Sequence, residues 1–155
     1  MTGMNILVVG GAGYIGSHMV KLLGQRGCAV TTLDDLSSGH RDAVLTGDFV
    51  QGDMADTELL RGLFARRKYD AVMHFASFIE VGESVREPAK YYRNNVANTL
   101  ALLAAMREAG VDRFIFSSTA AIFGTPQYVP IDERHPRAPI NPYGRTKNMV
   151  EDVLS

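Results

Sequence analysis

Tyr143 and Lys147 stand one helical turn apart in the run Tyr143-Gly144-Arg145-Thr146-Lys147. Val150 and Leu154 extend the same face, so the lysine lies on a side expected to pack inward. A lysine there either snorkels to water or is kept for its charge. An ammonium beside a phenol favours the phenolate, and a phenolate is a general base that can take an alcohol proton. Ser118 and Thr119, just past the apolar run 113–118, can offer a hydroxyl to the same substrate oxygen.

A second stretch, Gly10-Gly11-Ala12-Gly13-Tyr14-Ile15-Gly16, follows the apolar residues 4–9 and precedes a helical pattern. Gly10 lets the chain leave a strand in a tight turn, Gly13 lets a pyrophosphate approach the main chain, and Gly16 lets the helix pack close to the sheet. The helix start then offers unpaired N–H groups and partial positive charge to an anion. The spacing is G-x-x-G-x-x-G. Asp34 closes the next apolar run, placed to accept hydrogen bonds from the adenosine ribose hydroxyls and to repel a 2′-phosphate. That favours NAD over NADP. Lys147 can also reach the nicotinamide ribose. Asp53, at the end of a third strand over 48–53, is placed for the adenine amino group.

These residues need a scaffold of alternating strands and helices. The helical face Ile15, Met19, Val20, Leu22 and Leu23 is closed by Gly24 and Gly27, and residues 29–34 follow as a strand. Leu36 to Gly47 is a polar loop over the adenine end. Residues 56–67 form a helix with Leu59, Leu60, Leu63 and Phe64 inward and Arg66 and Arg67 solvated near its end. The run 70–76 has no polar alternation, as a strand covered on both faces requires; His74 within it is read as a buried, hydrogen-bonded residue. Pro88 starts a helix over 88–109 that Gly110 ends. Asn94, Asn95 and Asn98 interrupt it with poor helix formers, either for surface polarity or because one reaches a ligand or a neighbouring loop. A fifth strand, a proline-rich loop over 124–142 and a last helix from near Tyr143 complete the chain. The expectation is α/β: a doubly wound, Rossmann-like parallel sheet of five strands in order 3-2-1-4-5, one domain over 1–155, with the ligand at the strands' C-terminal ends.

Taken together, the glycine spacing, Asp34, the Gly52-Asp53 pair, Ser-Ser-Thr at the end of strand five and Tyr-x-x-x-Lys resemble the extended short-chain dehydrogenase/reductase family. The segments GGAGYIGSH, HFAS, VGESV, YYRNNV, FIFSSTAAIFG and NPYGRTK are similar to its nucleotide-sugar 4-epimerase branch. The resemblance implies NAD contacts at Gly10, Gly13, Tyr14, Ile15, Gly16, Asp34, Asp53, Met54, Phe75, Ala76, Asn94, Ser117, Tyr143 and Lys147, and catalysis by Thr119, Tyr143 and Lys147. It implies no metal. Thr119 stands where serine is common and keeps the hydroxyl. Ile79 replaces a lysine that some members direct to the cofactor phosphates, and Phe123 replaces a common tyrosine. The implied reaction interconverts UDP-glucose and UDP-galactose by transient oxidation at C4 of a UDP-sugar substrate. Related dehydratases carry acids directly after the threonine, where this chain has Ala120 and Ala121, which argues for epimerisation. The alternatives are another NAD-dependent nucleotide-sugar epimerase, or an NAD-binding module without catalysis.

Apolar residues make up 46% of the chain and charged ones 21%, with net charge −1, an ordinary balance for a soluble domain. No basic stripe marks a nucleic-acid partner, the longest apolar runs are strand-length rather than membrane-spanning, and no leader is expected. A single cysteine, Cys28, fits packing near a turn in a reducing, cytoplasmic setting. Members of the resembled family are roughly twice as long. The expectation is therefore a fragment or a short cofactor module that keeps the NAD site, turns over little sugar alone, and forms a homodimer in its full-length form.

Overall fold

The computed structural model describes residues 3–155, which form two compact units. One unit comprises the chain up to Ala76 together with Leu100–Ser117; the other comprises Ser77–Thr99 and Ser118–Ser155. The strands are β1 (Asn5–Val9), β2 (Ala29–Asp34), β3 (Asp48–Gln51), β4 (Ala71–His74) and β5 (Phe114–Phe116). The helices are α1 (Tyr14–Gln25), α2 (Thr57–Arg66), α3 (Val81–Arg86), α4 (Pro88–Tyr91), a π-helical stretch over Tyr92–Asn98, α5 (Thr99–Glu108) and α6 (Pro142–Leu154).

In the first unit all five strands run parallel in the order 3-2-1-4-5, as expected from their alternation with helices. The alternation of β1 shows how both faces are covered. Leu7 and Val9 join Leu33, Leu60, Leu63, Val72, Leu102 and Met106 in one core cluster, beneath α2 and α5. Ile6 and Val8 join Val20, Leu23, Val30 and Ala71 in the other, beneath α1. Strand side chains alternate between faces, so an unbroken apolar strand serves two cores. Asp56 caps α2 by accepting the Leu59 N–H at 3.0 Å, and the inward leucines follow at helical spacing.

Several details depart from the sequence reading. Helix α1 runs through Gly24 to Gln25, with Gly24 passing close to Thr46 rather than ending the helix. Arg67 is not merely solvated: its Nη1 meets Asp48 at 2.8 Å and donates to Thr31 Oγ1 at 3.2 Å. His74, in contrast, is fully buried as expected, with its ring against Phe114 and Phe116. In the second unit, α3 forms over a segment with no assigned element, and residues 92–98 widen into a π-helix where the asparagines cluster. In α6, Val150 is buried but Leu154 is 42% exposed, so the buried face ends a turn earlier than expected.

Candidate functional site

The glycine turn of the first unit is built from main chain. Gly10 has φ 80° and its N–H donates to Leu33 O at 2.8 Å. A Cβ there would lie 2.5 Å from Ala76 N and 2.6 Å from Phe75 C, so only glycine lets the turn pass over these residues. At Gly16 a Cβ would lie 2.1 Å from Gly10 O; this glycine lets α1 close onto the turn itself. Gly13 differs, because a Cβ there would meet only Gly10 O, at an ordinary 3.5 Å. Its open side is the one a ligand would need.

Helix α1 starts at this open side with Gly13 as its N-cap, no side-chain cap and no acid in its first turn. Helices α2 and α6, by contrast, are capped by Asp56 and Asn141. The uncapped start leaves backbone N–H groups and the positive end of the helix dipole for an anion. Tyr14 and Ile15 are exposed beside it. These features fit a diphosphate.

Asp34, buried at the end of β2, pins the turn from below. Its Oδ2 accepts the Ala12 N–H at 2.8 Å, and its Oδ1 accepts the Leu36 N–H at 2.9 Å. Each oxygen keeps a further lone pair, so ribose hydroxyls remain acceptable partners. Asp53 is exposed, with Oδ1 accepting the Ala55 N–H at 2.9 Å. The Met54 side chain belongs to the core, whereas Phe75 and Ala76 line the floor under Gly10. The Ser117 N–H donates to His74 O at 3.2 Å, extending β5 by one bond.

In the second unit four segments converge on the first two turns of α6. Asn141 Oδ1 accepts the Gly144 N–H at 2.8 Å and sets the helix start, with Pro142 at the first position. The Tyr143 N–H donates to the hydroxyl of Ser84 at 3.2 Å, and that buried hydroxyl donates to Val81 O at 2.7 Å. A Cβ at Gly144 would lie 2.6 Å from Ala121 O, so glycine lets α6 press on the 3-10 turn Ala120–Phe123. Thr119 caps that turn, its Oγ1 accepting the Ala121 N–H at 3.1 Å. The bond uses a lone pair and leaves the hydroxyl hydrogen to give.

Asn95 joins the remaining segments. Its Oδ1 accepts the Phe78 N–H at 2.9 Å and the Asn94 amide at 3.0 Å. Its Nδ2 donates to Phe78 O at 3.0 Å and to Thr146 Oγ1 at 3.2 Å. Asn95, one of the three asparagines of this helix, thus reaches a neighbouring loop. Tyr143 is 8% exposed and Lys147 only 2%. Lys147 Nζ donates to Ser77 Oγ at 2.8 Å, and burial pushes its amine down from the usual lysine range to about 8. Ser118 donates a short hydrogen bond to Glu151, which also meets Arg137 at 3.3 Å. Ile79 is exposed, and Phe123 packs edge-on against His135.

Ser77, Ser84 and Thr146 carried no assignment in the sequence. Their only signal was their place inside HFAS, VGESV and NPYGRTK, since isolated small hydroxyls have no periodicity of their own.

Residues 6–155 match the NAD dependent epimerase/dehydratase family. The chain is similar to UDP-glucose 4-epimerase of Rhizobium meliloti (strain 1021), 53% identical over 154 residues, and to that of Rhizobium leguminosarum bv. trifolii, 50% identical over 155. These alignments cover 99% and 100% of this chain but 47% of each relative, so the chain spans about half the length of the curated relatives it matches. Among solved structures, UDP-glucose 4-epimerase from Brucella ovis in complex with NAD superposes with a TM-score of 0.96 at 51% identity, over 98% of this chain and 47% of that one. The UDP-Glc/GlcNAc 4-epimerase of Campylobacter jejuni superposes with a TM-score of 0.94 at 46% identity, over 98% and 48%.

Proposed function

Because the chain belongs to the NAD dependent epimerase/dehydratase family, we propose that it is the NAD-binding and proton-transferring half of a UDP-glucose 4-epimerase. The observation that carries this reading is the pair on α6: a buried phenol, with a buried lysine one turn on whose ammonium is aimed by a hydrogen bond. A structural lysine would carry its charge to water. The uncapped start of α1, the open side of Gly13 and the buried Asp34 support the dinucleotide part of the proposal.

Bound NAD supplies a hydride acceptor and donor for C4 of the sugar. The chain's own residues manage the proton. Tyr143 takes it from the 4-hydroxyl as phenolate and returns it after the configuration is inverted. Lys147 favours the phenolate by its charge and offers N–H donors to a ribose. Thr119 keeps its hydroxyl hydrogen for the substrate oxygen. Asp34 selects a 2′-hydroxyl over a 2′-phosphate. The whole protein's homodimeric state and a cytoplasmic location belong to the same proposal; among the described residues no helix is long and apolar enough to cross a membrane.

The test begins with the nucleotide that co-purifies with the chain, expected to be NAD or NADH. Reduction of bound NAD by saturating UDP-galactose in a single turnover should slow about a hundredfold in Tyr143→Phe, with the NAD dissociation constant unchanged. A preference for NADP, or a rate indifferent to the phenol, would sink the reading. A second reading, turnover of N-acetylated UDP-hexoses, is favoured by the likeness to the Campylobacter jejuni enzyme. UDP-N-acetylgalactosamine in the same assay separates the two.

A further inference from the structure

We propose that Ser77 is a positioning residue for Lys147, its hydroxyl fixing where the amine lies and keeping it protonated. The inference rests on the reading of Lys147 given above. Ser77 opens the second unit, in the short segment between β4 and α3. Its hydroxyl accepts from Lys147 Nζ at 2.8 Å, across 70 residues of sequence. The next residue, Phe78, is held at both its N–H and its C=O by Asn95, which also engages Thr146 on α6. The acceptor is therefore fixed from both sides: Asn95 orders the segment bearing Ser77 and the helix bearing Lys147. A serine on a loose loop would have no such authority over a lysine.

Charge makes the acceptor matter. Lys147 is nearly fully buried, and desolvation is what lowers its amine to about 8. The less exposed titratable groups on the surrounding elements include Tyr143 and Glu151 on α6, Glu83 on α3, Tyr91 on α4 and Tyr92 in the π-helical stretch; Arg145 and Asp152 on α6, Arg86 on α3, Lys90 on α4, Arg93 and the Glu80 that precedes α3 are exposed. Glu151 is engaged by Ser118 and Arg137. Glu83 is engaged by Lys90 and by Tyr91, whose phenol is pushed up to about 12. A hydroxyl oxygen facing the ammonium favours the charged form without adding a carboxylate that would quench the positive charge offered to the phenol.

The experiment reads the Lys147 amine in the cofactor-free 155-residue chain. The lysine side-chain methylene next to the amine is ¹³C-labelled, its Lys147 signal is assigned by its loss in Lys147→Arg, and it is followed by NMR from neutral pH to strongly basic pH. Ser77→Ala should lower the Lys147 midpoint by about one pH unit, and Ser77→Thr should restore it. Ser77→Gly, which also lacks the hydroxyl, serves as the second variant should alanine perturb folding. A midpoint in Ser77→Ala equal to or above that of the unaltered chain overturns the assignment, as does an unaltered chain titrating at the ordinary lysine value. A merely structural role would lower the melting temperature and leave the midpoint in place. Because no NAD is present, failure of the dinucleotide reading leaves this titration untouched and is seen separately in the binding assay.

Discussion

Around Gly10 the candidate binding surface is main chain, whereas around Lys147 it is a set of buried polar side chains. The two regions also tolerate change differently. The glycine turn is governed by contact distances: where a Cβ would strike a carbonyl, nothing larger fits, and where it would meet open space only a ligand objects. The α6 region is governed by hydrogen-bond satisfaction. Ser77, Ser84, Asn95 and Thr146 each serve a donor or acceptor that would be left without water if they were removed. Anion binding suits the first construction, because peptide N–H groups need only be exposed. Control of a proton suits the second, because a side chain must be aimed and its charge set by its surroundings.

The largest expected effect sets Gly10 against Gly13. Gly10→Ala combines a left-handed φ of 80° with a Cβ 2.5 Å from Ala76 N. It should cost at least about 3 kcal/mol of folding stability in urea denaturation, the sum of backbone strain and overpacking. Gly13→Ala should leave stability within about 0.5 kcal/mol yet weaken NAD binding roughly tenfold or more, because its Cβ enters only the ligand's space. Equal losses of stability in the two variants would show that the turn is not divided between packing and binding as described.

Lys147→Met tests the other region. The folded amine sits near 8 against an ordinary 10.5, so between these values the unfolded chain binds more protons and stability rises with pH. Below pH 8 the folded chain carries the full cost of a buried charge. Lys147→Met should therefore be more stable at neutral pH by up to about 3 kcal/mol, less about 1 kcal/mol for the lost bond to Ser77. The advantage should shrink as pH climbs from 8 toward 10.5. A variant less stable than the parent at pH 7, with no pH-dependent gap, would place Lys147 among ordinary structural lysines.

The sheet and the glycine turn could be read from the sequence because their causes are local. Residues 6–9 are apolar without a break, and the three glycines fall at the spacing a strand-turn-helix junction needs. The Tyr143 and Lys147 pair was legible for the same reason, being one turn apart. What surrounds it was not. The bond from Lys147 to Ser77 spans 70 residues, and that from Asn95 to Thr146 spans 51. Neither partner type has a pattern that announces its mate. The π-helical widening at Tyr92–Asn98 showed only as poor helix formers, since its hydrogen bonds are a tertiary outcome. Six-residue α3 was too short for its period to be counted. Leu154 matched the inward face by spacing alone, yet lies exposed.

Asn95→Leu should cost about 2–3 kcal/mol in chemical denaturation, because the Phe78 N–H and C=O lose their partner while an isosteric side chain fills the space. Hydrogen exchange should accelerate at residues 77–80 and at the start of α6, while β1 to β4 keep their protection. Protection lost uniformly, sheet included, would mean that Asn95 supports the fold at large rather than the α6 region.

Arg67→Ala gives the smallest effect and asks whether polar side chains count for less in the sheet unit than around α6. Arg67 meets Asp48 at 2.8 Å, but the two side chains are 38% and 64% exposed. Water already solvates both charges, so the pair gains little by meeting, and its bond to Thr31 is a single contact. The expected loss is about 0.5 kcal/mol, falling further in molar salt as the ion pair is screened. A salt-insensitive loss as large as that of Asn95→Leu would contradict the contrast, because it would show a partly exposed contact carrying the weight of a buried one. The sheet unit should instead owe its stability to the two apolar clusters on either side of β1, which salt does not weaken.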